Sequence, residues 1–159
     1  MSVEVRFAEP RDVPAIARLI RSLAQFEKLE HVVVMTEELL GLALFGPRPY
    51  AETLIAEDGG VAVGFALFFH TFSTFLARPG IYLEDLYVVE EARGRGVGRR
   101  LLARLAQTAV ERGCARLEWA VLNWNTDAIA FYERLGASPN SAWTTYRLAG
   151  EPLHRLARQ

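Results

Sequence analysis

The sequence predicts a mixed α/β protein, with a central twisted sheet flanked by helices. Three observations lead there. Runs of period-2 apolar alternation are interleaved with runs of helical period along the whole chain. An Asp58-Gly59 turn joins two strand-like stretches, as in a hairpin. A glycine-rich turn, Arg93-Gly94-Arg95-Gly96-Val97-Gly98, separates an apolar strand (residues 81–89) from an amphipathic helix (residues 99–112).

The elements follow in order. Residues 3–7 alternate with charge and read as the first strand. Asp12 is placed to cap the next helix, where Val13, Ile16, Leu19, Ile20 and Leu23 recur on one face. Arg11, Arg18 and Arg21 lie elsewhere on that helix, as on any solvated surface. The period breaks at Phe26-Glu27-Lys28-Leu29-Glu30-His31, which reads as a loop or a fraying end. Thr36 caps a second helix, with Glu37 and Glu38 in its first turn where negative charge suits the dipole. Gly46-Pro47-Arg48-Pro49 ends it. Residues 52–56 and 61–69 form the hairpin around Glu57-Asp58-Gly59-Gly60. Residues 71–80 read as a loop, whose Phe72, Phe75 and Leu76 either pack over a core or line a pocket. Residues 81–89 are the expected central strand. After the glycine turn, Leu101, Leu102, Leu105, Ala106 and Ala109 form an apolar stripe, and Gly113 stops the helix. A strand over residues 116–121, a helix over 126–135 closed by Gly136, a late strand over 143–148 and a short helix over 151–158 complete the chain. No repeat, low-complexity tract or linker interrupts it, so residues 1–159 read as one domain.

Composition narrows the function. The 159 residues are 51% hydrophobic, enough for a core, and the net charge of −1 gives no reason to expect nucleic-acid or membrane-surface binding. Lys28 is the only lysine among many arginines, a pattern read as codon usage. Cys114 is the only cysteine, so no internal disulfide can form, and a reducing, cytoplasmic setting is expected. It reads as a small buried residue at a helix-to-strand junction. His31, His70 and His154 are not placed beside it as a nucleophile's partner, nor in a metal-binding spacing, so no metal is expected. The opening Met1-Ser2-Val3-Glu4-Val5-Arg6 lacks the basic start and apolar core of a leader. No apolar run approaches the ~20 residues of a spanning helix.

The glycine turn holds the chemistry. Backbone N–H groups there can approach an anion closely, and the following helix adds its free N–H groups and the positive end of its dipole. A P-loop would end in Gly-Lys-Ser/Thr, but this turn runs Gly98-Arg99-Arg100, with no hydroxyl for magnesium. A dinucleotide fingerprint fits Gly94 and Gly96 but has Arg99 where its third glycine packs helix on strand. The remaining pattern, Arg/Gln-x-x-Gly-x-Gly/Ala, is met by Arg93, Gly96 and Gly98.

That loop resembles the pyrophosphate loop of the GNAT acetyltransferases, which bind acetyl-CoA. Tyr82-Leu83-Glu84-Asp85-Leu86-Tyr87-Val88 before it resembles the diamine acetyltransferase branch. So do Trp124-Asn125 and Phe131-Tyr132-x-x-x-Gly136-Ala137 after it, with Arg6 and Phe26-Glu27 near the start. Thr71-Phe72-Ser73-Thr74-Phe75, Leu122-Asn123-Trp124-Asn125 and Gly150-Glu151-Pro152-Leu153-His154-Arg155-Leu156-Ala157 look more like the thialysine relatives than the spermidine/spermine enzymes. The polyamine enzymes carry an acidic pair where this chain has Trp143 and Thr144, and a further acid where it has Thr74. A polycation needs several carboxylates along its path, so a compact amine bearing its own carboxylate fits better.

The resemblance implies a GNAT acyl-CoA N-acyltransferase fold and acetyl transfer from acetyl-CoA to a small primary amine, in a ternary complex. It implies Glu84 as general base, through a water, and Tyr132 as general acid. Phe26, Glu27, Glu84, Asp85, Glu118, Trp119 and Ala120 would face the amine. Leu86, Tyr87 and Val88 would meet the cofactor by their backbone, and Arg93, Gly94, Arg95, Gly96, Val97, Gly98 and Arg99 would cradle its pyrophosphate. Asn125, Thr126, Asp127, Ala128 and Tyr132 would complete the cofactor site, although Asn125 can equally cap its helix. A homodimer is implied by analogy. Competing readings are acetylation of a protein N-terminus or an antibiotic amine, and an acyl-CoA sensor without turnover. No role is assigned to His31 or His70.

Overall fold

The computed structural model describes residues 2–159. They fall into two compact units, residues 2–120 and 121–159.

The first unit is built on a five-stranded mixed sheet in sequential order, β1 (Val3–Phe7), β2 (Glu52–Asp58), β3 (Val61–Ser73), β4 (Arg78–Val88) and β5 (Leu117–Trp119). β1 to β4 pair antiparallel, and β5 runs parallel to β4. The sequence places residues 81–89 at the centre; they fall instead in the penultimate strand, and β3 is the middle one. Position in a sheet is set by which edges are paired, and apolar character alone does not rank two buried strands.

Helices α1 (Val13–Phe26) and α2 (Glu37–Phe45) share a core with Ile55, Ala62 and Phe65. Ile55 and Phe65 are register partners, so both project to the same face. Helix α3 (Val97–Glu111) takes the opposite face. A Cβ on Gly64, the neighbour of Phe65, would lie 3.3 Å from Leu101 and 2.9 Å from the Tyr87 carbonyl, which is why this strand position has no side chain. The α3 stripe is close to the expected one. Val97, Leu101, Leu102, Leu105 and Ala109 are buried, but Ala106 is exposed and Thr108 is buried in its place. Thr108 is tolerated there because its hydroxyl donates to the Arg104 carbonyl and accepts from the Arg104 guanidinium, both at 2.9 Å. Cys114 is buried just past the helix.

Local signals hold where partners are local. Thr36 caps α2 by accepting from the Leu39 amide at 3.1 Å. Asp12, in contrast, stands at the start of α1 without making a cap bond. Its carboxylate accepts from both terminal nitrogens of Arg6, at 2.8 and 2.9 Å, and from the Glu9 amide at 2.7 Å. A bidentate, charge-assisted pair is worth more than one cap bond, and it holds the Asp12 carboxyl below the usual range. Arg6 also donates to Glu57, so it fastens β1, the entry to α1 and the first hairpin together.

Two expectations about strand ends are corrected. The supposed loop over residues 71–80 is mostly ladder: Thr71, Phe72 and Ser73 pair with Gly80, Pro79 and Arg78, leaving a turn over residues 74–77. Phe75 is fully exposed and Phe72 and Leu76 are over half exposed, so they do not cover a core. The strand expected over residues 116–121 shortens to Leu117–Trp119.

In the second unit, α4 (Thr126–Arg134) begins where Asn125 accepts from the Ala128 amide at 3.3 Å, as its cap role requires. Helix α5 (Glu151–Ala157) closes the chain. The strand expected over residues 143–148 is absent among the described residues. Its Trp143, Tyr146 and Leu148 are exposed. Strand propensity expresses fit to a pleated, half-buried surface, and this segment joins no ladder. Among the described residues no helix is long and apolar enough to cross a membrane.

Candidate active site

The site in the first unit forms where β4 stops being an ordinary strand. The β3–β4 register passes from Leu67↔Asp85 to Phe68↔Leu83, so Glu84 is the extra residue of a β-bulge. Without a bulge, the adjacent Glu84 and Asp85 would point to opposite faces. Glu84 is thereby freed from the alternation and is exposed, while Asp85 is half-buried. Burial is the main cause that raises the Asp85 pKa to about 6, and the nearby Glu84 and Glu27 carboxylates add to it. Burial also raises that of Glu27, which follows the last turn of α1. The structure therefore brings Glu27, Glu84 and Asp85 into one electrostatic cluster. Sequence reasoning overlooked Tyr82 as a member. Its phenol is pushed up by burial and then by Glu84 and Glu118, and its ring lies 5.3 Å from Phe69.

The parallel ladder between β4 and β5 ends at Leu83↔Trp119, one residue before the bulge. Beyond it, Asp85, Leu86, Tyr87 and Val88 pair with β3 on one edge, and no strand of the described residues pairs with the other. An unpaired strand edge is a row of backbone donors and acceptors available to a ligand with amide groups. Glu118 and Trp119 sit half-buried in β5 and Ala120 lies just past it; Glu118 is held by Arg116 at 3.0 Å.

The glycine turn lies at the end of the same strand. Gly94 and Gly96 both have φ of 77°, the left-handed region, and a Cβ at either would meet no protein atom within 4 Å. The backbone there faces open space. Gly96 is the N-cap of α3 and offers no capping side chain, so the first N–H groups of the helix, from Val97 and Gly98 onward, are left for a ligand. Arg99 and Arg100 are exposed beside it. Two arginines of the turn are directed elsewhere: Arg95 pairs with Asp58 at 3.1 Å, and Arg93 folds back onto Phe26 and Tyr87.

The second unit carries Asn125, Thr126, Asp127 and Ala128 in the cap and first turn of α4, and Tyr132 two turns on, with its ring 5.5 Å from that of Phe131. Tyr132 is half-buried. Among the described residues, no group of three or more His, Cys, Asp or Glu is set to hold a metal ion.

Residues 16–137 match the Acetyltransferase (GNAT) family. The chain is 37% identical to the thialysine N-epsilon-acetyltransferase of Mus musculus over 98% of both chains. It is 33% identical to an L-ornithine N5-acetyltransferase of Arabidopsis thaliana, over 98% of this chain and 88% of that one. Among solved structures, an integron cassette protein from the mobile metagenome of V. cholerae superposes with a TM-score of 0.84 at 27% identity, covering 100% of this chain and 99% of that one. The match over most of the chain and the near full-length likeness to acetyltransferases agree: the chain belongs to the GNAT acetyltransferase family and is an acetyltransferase.

Proposed function

We propose that this enzyme moves the acetyl group of acetyl-CoA to a primary amine of a small molecule, and that a thialysine- or lysine-like amino acid is preferred over a polyamine. The observation that carries the reading is the cluster of Glu27, Glu84 and Asp85 at the bulge, between an unpaired strand edge and an uncapped helix start. An alkyl amine, with a pKa near ~10, arrives as ammonium and must lose a proton before it can attack. Clustered carboxylates attract the cation, and one of them accepts the proton. Thialysine and ornithine acetyltransferases among the relatives support a compact amine.

Residue roles follow. Glu84, exposed on the bulge, accepts the proton through a water, and Asp85 and Glu27 hold the amine. Acetyl-CoA supplies the thioester carbonyl that the amine attacks. Val97 and Gly98 in the first turn of α3, with Gly94 and Gly96, suit its pyrophosphate, because small backbone-only positions and free N–H groups favour an anion. The open edge of Leu86, Tyr87 and Val88 suits the amides of its pantetheine arm. By family resemblance, Tyr132 protonates the leaving thiolate; a phenol near ~10 can give a proton to a thiol near ~8.5. We take residues 1–159 as a single catalytic domain of a cytoplasmic homodimer; the exposed Trp143, Tyr146 and Leu148 favour the pairing of two copies.

The test is CoA release from acetyl-CoA across thialysine, lysine, ornithine, putrescine, spermidine and a short peptide. Turnover with the compact amino acids is expected. Turnover with spermidine alone overturns the substrate reading, and turnover with the peptide alone moves the enzyme to protein N-termini. Silence on all with acetyl-CoA bound points to an amine outside this panel or to a sensor.

A further inference from the structure

Arg93 opens the glycine turn, yet its side chain does not point out of it. Its guanidinium carbon lies 4.8 Å from the centroid of the Phe26 ring and 5.5 Å from that of Tyr87. Its Nε donates to the Val88 carbonyl at 3.0 Å. Phe26 and Tyr87 themselves lie 6.5 Å apart, tilted by 48°. One side chain thus touches the last residue of α1 and the end of β4, while its own backbone leads into Gly94. A planar guanidinium can stack on rings and donate a directed bond at once, which an ammonium cannot.

We propose that Arg93 is a positioning residue that ties the glycine turn to the C-terminal end of α1, so that anion binding on the turn orders Phe26 and Glu27. The proposal rests on the cofactor and amine assignments above and says how the two are linked. The link has a clear route. Glu27 follows Phe26 directly, and its carboxylate is one of those that act on Asp85. Past Glu27 the helix cannot continue, since Lys28 has φ of 60°. The end of α1 is thus placed by the Phe26–Arg93–Tyr87 stack as well as by helix bonding. Fixing the backbone of Gly94 to Gly98 fixes where Arg93 starts, and hence where Phe26 and Glu27 sit. By linkage the effect is reciprocal: an amine held by Glu27 tightens the cofactor by the same factor.

Hydrogen exchange with CoA as the probe tests this without any amine. In the wild-type protein, CoA should slow exchange in residues 94–100 and also in residues 24–30. In Phe26→Leu, protection should stay within the turn; Phe26→Tyr, which keeps the ring, should restore the spread. In steady-state assays with thialysine, Phe26→Leu should raise the amine KM at saturating acetyl-CoA about five-fold and the acetyl-CoA KM at saturating amine by about the same factor, while the affinity for CoA in the absence of amine is little changed. Protection that stops at the turn in the wild type, or that still spreads in Phe26→Leu, overturns the link. No protection of the turn at all overturns the cofactor assignment, and the link with it.

Discussion

Replacing Asp85 by Asn should make the enzyme more stable and less active, and the gain in stability should depend on pH with a definite sign. The Asp85 carboxyl is raised from 3.8 to about 6 by burial and by its neighbours Glu84 and Glu27. Between those values the folded protein keeps a proton that the unfolded chain has lost. Stability therefore falls as pH rises through that window, and above it the ionised carboxylate exerts its full destabilising effect. A shift of about two units corresponds to about 3 kcal/mol, which we reduce to about 2 kcal/mol for residual solvent screening. Asparagine has nearly the same shape and no charge. Above about pH 7, Asp85→Asn should raise Tm by about 4–8 °C, and the difference should vanish toward about pH 4. The assay is thermal or urea unfolding of both proteins across that range. In parallel, kcat/KM for the amine should fall about 10- to 100-fold in the variant, because the ammonium loses a charged hydrogen-bond partner. In the wild type it should rise with pH through about 6, as Asp85 ionises. If the variant is no more stable than wild type near neutral pH, or if its advantage grows toward acid, the carboxylate is not desolvated as argued. If it is more stable and fully active, Asp85 belongs to the fold and not to the amine site.

Two further outcomes are expected. Tyr132→Phe should lower kcat about 100-fold or more with the affinity for CoA little changed, and an unchanged kcat removes Tyr132 as the acid. Gly96→Val should abolish acetyl-CoA binding, since it places a branched side chain at φ of 77° on the open face of the turn; calorimetry on the folded variant reads this directly, and normal binding would move the cofactor to another part of the chain.

What the sequence disclosed depended on how far away the deciding partner lies. The caps at Thr36 and Asn125 close on amides three residues on, and both are readable. The α3 stripe and the glycine turn are readable for the same reason: period and φ preference are local properties. Asp12 carries the same cap signal but is taken by Arg6, on a different element. Residues 143–148 have the composition of a strand but no ladder to join, and the apolar Phe72, Phe75 and Leu76 mark an exposed hairpin end instead of a core cover. Ala106 and Thr108 exchange places because a buried hydroxyl can satisfy itself on the preceding turn.

The bulge is the instructive case, because no residue type announces it. Glu84 is not a glycine, and a strand reading of residues 81–89 alone sets Glu84 and Asp85 back to back. Two acids in an apolar run do, however, conflict with a plain strand, since a buried unpaired charge is costly. The conflict is visible in the sequence, and the fold resolves it. One acid leaves the ladder, the other stays half-buried with a raised pKa, and the parallel pairing of β5 stops one residue earlier. Each feature alone weakens the sheet: an unpaired residue, a desolvated carboxylate, an open edge. They coincide within residues 83–88, next to a helix start without a capping side chain and a helix end that brings in another acid. A chain selected for stability alone would scatter or remove such defects. Their concentration at one end of β4 is the physical argument that this end binds the ligands, and it holds whichever amine proves to be the substrate.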